Sequence, residues 1–422
     1  MNKQNLFPTK WSMAIFIAIV ILAGSVFAVG QTERVVYRFH GGNDGADPDG
    51  GLISDQAGNF YGAVRGGGAH DYGAIFQMSP PAGQGGHWTE SVIYNFTGGN
   101  DGGAPIGELI FDQAGNLYGV ALLGGSTGGG TVFELTPQGG TWTESVIYNF
   151  QSNDQPVPGV VFDKAGNLYG ATAAGGGHGS VFQLAPSQGG GWTETTIYSF
   201  GAAHKGRTPL YGPAINRAGN LYGLLQYGST GASGGVYQLK APAQQGGAWT
   251  ERVLYSFKGG SDGGNPSGGL VFDQKGNLYG VSQQGGAFRH GTVFQLVRQG
   301  SSWSKALVYS FCSQAHCRDG FNPMAGLLTD NKGNLYGTTD LGGAAHYGTI
   351  FQLTPPAAQG DPWTQTVLHN FTNLGGDGNG PATARLIRGK FGSLWGTTTR
   401  GGKTEGECAR TLGCGTVLNV VP

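Results

Sequence analysis

Charge is scarce in this chain: Asp, Glu, Lys and Arg make up 12% of its 422 residues and leave a formal net charge of -1. No Lys/Arg-rich run occurs, so the electrostatic footprint needed for nucleic acid is missing. Helical signals are as sparse. Beyond the N-terminus no segment carries a sustained helical apolar period with caps, which excludes bundles and α/β architectures. Also missing are a phosphate-binding Gly-x-x-x-x-Gly-Lys-Ser/Thr loop, His-Glu-x-x-His and any Gly-x-Ser-x-Gly elbow joining a strand to a helix, since that spacing occurs only within glycine-rich loops such as 124–128 and 259–263. Cysteine is limited to Cys312 with Cys317 and Cys408 with Cys414. In an exported protein these close pairs predict two local disulfides. Zinc is the alternative, opposed by the spacings and by the lack of an accompanying metal-binding His signature.

Glycine is plentiful, at 83 residues, and it is periodic, so it marks turns rather than low complexity. The first 30 residues stand apart. Lys3 and Lys10 precede an uncharged apolar run from Met13 to Ala23, and small residues around Ala28 offer a cleavage site. Residues 1–30 read as a signal peptide, with a retained anchor as the alternative, and 31–422 as the mature domain.

That domain repeats one pattern: Leu109-Ile110-Phe111-Asp112-Gln113-Ala114-Gly115-Asn116-Leu117-Tyr118-Gly119, then Thr131 to Leu135, then Trp142 to Phe150. The aromatic near the end of the unit recurs at Tyr37, Tyr94, Tyr148, Tyr198, Tyr255 and Tyr309, with His369 in the seventh place. The spacings run from 50 to 60 residues, the range of arrays and propellers. Asp112 to Asn116 suits a tight hairpin, as do the turns starting at Asp55, Asp163, Asp273 and Asp330. The last segment is expected to place Trp142, Glu144, Val146, Tyr148 and Phe150 on one side by simple alternation. Four strands per unit and seven units predict an all-β, seven-bladed β-propeller of four-stranded antiparallel blades. Thr32 to Phe39 is a fourth strand without a preceding three, and the C-terminal unit has three strands without a fourth. The N-terminal strand is therefore expected to close the last blade.

The recurring Gly-Asn-Leu-Tyr-Gly, Gly-Thr-Val-Phe-x-Leu, Trp-Thr-Glu and Tyr-x-Phe segments over residues 32 to 420 resemble the bacterial GloVer tandem repeat, named for Gloeobacter and Verrucomicrobia. The resemblance implies a secreted or cell-surface repeat protein of unestablished activity. Some relatives carry C-terminal anchors, whereas no apolar tail or sorting signal precedes Pro422 here.

In such blades the first-to-second and third-to-fourth strand loops share one face, and the longer variable loops share the other. Binding groups are expected on the variable face. The recurring Asp-Gly of these loops, at Asp44, Asp101, Asp262, Asp319 and Asp377, reads as an Asx-type turn in preference to a calcium ring. The repeated Glu90, Glu144, Glu194 and Glu251 read as separated strand residues near blade edges. His70, His178, His290 and His346 fall in the second-to-third strand loops of four blades, either converging on a metal or substrate or serving as turn residues. The fourth unit departs most, with His204, Lys205, Arg207 and Tyr211 in one loop and Tyr227 in the next, a mixture suited to a carbohydrate or anionic ligand. Arg289, His290 and His346 extend the candidate set.

The expectation is a secreted or periplasmic monomer binding an extracellular glycan, polymer or protein, with no nucleic acid, no catalytic residue assigned and no required cofactor beyond an optional divalent metal. The alternative is a lyase- or lactonase-type propeller enzyme with His and metal in the central funnel, an analogy of fold.

Overall fold

In a computed structural model of the chain, the residues described are 32–422, apart from 84–85, 202–205, 229–231, 245, 359, 373, 375 and 382–384. The expected signal peptide, His204 and Lys205 lie outside them.

Seven antiparallel blades follow one another around a ring, with one further two-stranded pair, Gly378–Asn379 with Arg400–Gly401, and no α-helix occurs among the described residues. The second blade shows the unit in full: strands Gly103–Phe111, Leu117–Leu123, Gly128–Gln138 and Thr141–Gln151, hydrogen-bonded in that order from the inside outwards. In the fourth blade the inner position is filled by two short pieces, Arg207–Pro209 and Ala214–Ile215. The seventh blade joins Ile387–Arg388, Leu394–Thr398 and Thr416–Val421 to the N-terminal Thr32–Arg38, whose register runs from Thr32 opposite Val421 to Arg38 opposite Thr416. The chain thus closes its own ring, and the outer edge of the last blade is covered by the first strand.

The tight hairpins form because one carboxylate gathers several donors. Asp112 accepts hydrogen bonds from the Ala114 and Asn116 amides at 2.8 and 2.9 Å, the Asn116 side chain at 2.8 Å and the Tyr118 hydroxyl at 3.2 Å. Gly115, at φ 91°, supplies the left-handed residue of the turn. Asp55, Asp163, Asp273 and Asp330 repeat the arrangement.

The outer strand corrects the expected alternation. A bulge lies opposite Val132 and Phe133, which pair with Tyr148 and Val146 and leave Ile147 extra. Tyr148 and Val146 therefore face opposite ways. Trp142 turns back to Tyr61 of the preceding blade, with ring centroids 5.8 Å apart, while Phe150 turns forward to Phe182 of the following blade, at 5.3 Å. The same shift occurs in the other six blades.

Forward contacts build the core between blades. Phe39, Phe96, Phe150, Phe200, Phe257 and Phe311 meet Phe76, Phe133, Phe182, Tyr237, Phe294 and Phe351 edge to face at 5.0–5.3 Å. The receiving ring lies over the Gly of Leu-Tyr-Gly: a Cβ on Gly119 would sit 2.5 Å from Phe133 Cζ. Phe133→Ala should lower stability by about 3–5 kcal/mol. Gly119→Ala should also destabilise by displacing that ring. Denaturant unfolding of both variants measures this; unfolding midpoints at the wild-type value would contradict the packing role.

Candidate functional site

Six outer strands also bring a tyrosine towards the loop that starts the next blade, and the sixth blade's brings His369. Asp101 accepts a hydrogen bond from the Thr97 amide at 2.8 Å and one from the Tyr94 hydroxyl at 3.0 Å. Asp44, Asp262 and Asp319 hold their loops in the same way, receiving tyrosine hydroxyls and backbone amides. These carboxylates are engaged by their own loops, as an Asx-type turn requires.

The repeated glutamates are not isolated strand residues. Glu90 reaches the Tyr37–Asp44 pair at the boundary of the seventh and first blades, with Tyr37 Oη 3.4 Å from Glu90 Oε2. Burial, reinforced by Asp44, lifts the Glu90 carboxyl to about 8. Burial and the charge of Asp101 lift Glu144 to about 7 at the next boundary. Between blades four and five, Lys305 takes the glutamate's place and pairs with Asp262 at 3.0 Å. Alternation along a strand could not reveal these neighbours, because they come from adjacent blades.

On the variable face, Arg207 and Tyr227 face each other across two paired strands, with the guanidinium carbon 4.9 Å from the ring centroid. Tyr211 is elsewhere. It lies in the wall of the central channel, its hydroxyl 3.3 Å from Ser267 Oγ. Arg289 and His346 occupy the same left-handed turn position in successive blades, at φ 64° and 67°, as Asp71 does in the first blade at 63°. His290, one residue on from Arg289, packs its ring against Phe321 at 5.0 Å. The described members of the candidate set are therefore spread over three blades and the channel. Exposed aromatic rings do share this face: Tyr72, Tyr227, Phe288 and Tyr347, from blades one, four, five and six, are 39–47% exposed.

The channel contains a feature absent from the expectations. Its wall takes one residue from each blade, at the position before a Leu, Val or Pro on the innermost segment: Gly51, Glu108, Gly159, Gly212, Gly269, Gly326 and Arg385. The two charged side chains of this layer pair across the first blade, Arg385 Nη2 to Glu108 Oε2 at 2.6 Å. Gly51 permits the crossing, since a Cβ there would lie 2.9 Å from Glu108 Cγ. Asp49 and Tyr211 also line this cavity of about 390 Å³, and among the described residues the lining includes no histidine. The charges of Glu108 and Arg385 offset each other, and Asp49 adds a further carboxylate to the lining. The signal was present in the repeat, as Glu and Arg where five units have Gly, but only the ring shows that these positions meet.

The carboxyls at the blade boundaries set a pH dependence. Glu90 and Glu144 hold protons in the folded chain above the ordinary value of 4.5. The stability they contribute is fully present below that value and is lost as pH rises through about 7 and about 8. Glu144→Gln should flatten the decline in the unfolding midpoint over this window relative to wild type. Parallel curves for the two proteins would remove Glu144 as a source.

A family model described as the Gloeobacter/Verrucomicrobia repeat matches residues 22–213 and 176–409. Among curated proteins no sequence matches the chain. Solved structures similar to it include a luciferin-regenerating enzyme, with 12% identity, 93% of this chain and 96% of that one covered, and a TM-score of 0.44. A gluconolactonase from Xanthomonas campestris has 12% identity, 73% and 82% coverage and a TM-score of 0.41. A mutant of AofleA from Arthrobotrys oligospora has 11% identity, 80% and 90% coverage and a TM-score of 0.42. At these values none carries an argument about the chemistry of this chain.

Proposed function

We propose, for a chain that belongs to the Gloeobacter/Verrucomicrobia repeat family, that it is an exported binding module whose variable-loop face engages neutral polysaccharide. The observation that carries this reading is the set of exposed rings Tyr72, Tyr227, Phe288 and Tyr347 on one face of a rigid ring of blades. An exposed ring gives a sugar a flat apolar surface, and the guanidinium beside Tyr227 adds hydrogen-bond donors at its edge. Low overall charge fits a neutral ligand. Two disulfides support an oxidising compartment, and no helix among the described residues is long and apolar enough to cross a membrane. The last blade is completed by the chain's own N-terminal strand, which supports a monomer.

Binding of the mature chain to a panel of neutral and charged polysaccharides, by affinity electrophoresis, tests the reading. Tyr227→Ala and Arg207→Ala should each weaken retention by a neutral polymer by about 5- to 30-fold, equivalent to ~1–2 kcal/mol. Absence of retention by every neutral polymer, or wild-type retention in both variants, would sink it.

A further inference from the structure

Cys312 and Cys317 form a disulfide in the loop that leads from the fifth blade's outer strand, Ser302–Ser310, into the sixth blade. His290 stands beside them, at the end of the loop between Leu278–Gln284 and Thr292–Gln299. One ring nitrogen and the two sulfurs lie within 4.8 Å of one another. The repeat explains the approach. In the first blade the equivalent residue, Tyr72, lies over the following inter-blade loop so closely that a Cβ on Gly98 would fall 2.4 Å from its ring. In the fifth blade the same placement brings an imidazole to a cysteine loop.

The loop is held by more than its S–S bond. Fully buried Asp319 accepts hydrogen bonds from Tyr309 Oη at 2.8 Å, the Ser313 amide and Oγ at 2.9 Å, and the Gln314 amide at 3.2 Å. The Cys312 amide donates to Gly320 O at 3.2 Å, and the Gly320 amide to Cys317 O at 2.9 Å. Reduction therefore leaves a framework that keeps both thiols near His290. The second disulfide has a different setting: Cys408 and Cys414 are 0% and 2% exposed, within the core formed with Phe39 and Phe76. Cys312 and Cys317 are only partly buried and His290 is exposed, so an external reductant has access to this pair first.

We propose that Cys312, Cys317 and His290 form a redox-gated site for a thiophilic divalent metal of the zinc type. In the oxidised chain the sulfurs bind each other. An external dithiol supplies two electrons and two protons to the S–S bond, leaving as its own disulfide and yielding two thiols. Metal binding then releases both thiol protons to solvent. Two thiolates and one neutral imidazole bind the ion, and water completes a tetrahedron.

The test uses Co²⁺ as the probe with the full mature chain, oxidised or reduced with a phosphine that is removed anaerobically before metal is added. The reduced chain should bind a single Co²⁺ with thiolate charge-transfer and tetrahedral d–d absorption, and the oxidised chain should show neither. Cys312→Ser with Cys317→Ser should abolish both bands while leaving Cys408 and Cys414 in place. His290→Ala should weaken binding by about 100-fold or more, given that even outer-shell changes cost roughly 10- to 100-fold. Missing bands in the reduced chain, bands that persist in the double variant, or unchanged affinity in His290→Ala would each overturn the proposal. Circular dichroism of each reduced variant verifies that the blades remain folded.

Discussion

The bulge in each outer strand is the constraint on which the ring depends. A strand with strict alternation presents one side to one neighbour, and its other side to the opposite neighbour, along its whole length. With Ile147 inserted, the first half of the second blade's outer strand presents Trp142 and Glu144 backwards, and the second half presents Tyr148 and Phe150 forwards. Every boundary between blades is then built from the end of one outer strand and the start of the next. The glycine of Leu-Tyr-Gly makes the forward contact possible, because the receiving ring occupies the space a Cβ would take.

This division of labour explains the variation along the chain. Packing positions change little: the receiving side chain is an aromatic ring in six blades, Phe182 giving way to Tyr237 in the fourth, and Leu418 takes its place beside Phe371 in the closing blade. The polar boundary positions vary more freely. A Glu90 carboxyl raised by burial and by Asp44 serves at one boundary, while Lys305 meets Asp262 as an ion pair at another. Both solutions satisfy the same tyrosine-capped loop. The closing blade shows another adjustment: its outer strand begins at Thr32, and the Tyr336 ring of the sixth blade, where other boundaries place a Trp, has the Arg388 guanidinium 5.5 Å away.

Much of the fold was legible in the residues because its signals are local. Asp112, Gly115 and Asn116 specify a hairpin within five residues, and the split first strand announces its own pairing with the last blade. The bulge was not legible. Period-two counting passes through Val146 and Ile147 without registering an insertion, because both are apolar and the extra residue is defined only by its partner strand. For the candidate residues, proximity in sequence was a poor guide. Arg207 and Tyr227 meet because their strands pair, while Tyr211, four residues beyond Arg207, turns into the channel. The expectation that no metal-binding His signature accompanies Cys312 and Cys317 was read along the chain, whereas His290 approaches both sulfurs in space from the loop between the fifth blade's second and third strands.

The sequence by itself determined the number of blades, the strands within each, the turns that join them, the two cysteine pairs and the closure of the ring. Each of these follows from hydrogen-bonding and steric preferences that act over a few residues and are repeated seven times. Only the tertiary structure decided which departures from the repeat meet. Glu108 and Arg385 are 277 residues apart and touch at 2.6 Å because a closed ring brings every inner strand to one axis. His290 reaches the cysteine loop for a related reason: successive blades stack at a fixed offset, so a side chain that has only glycine to cover in one blade covers a disulfide in another.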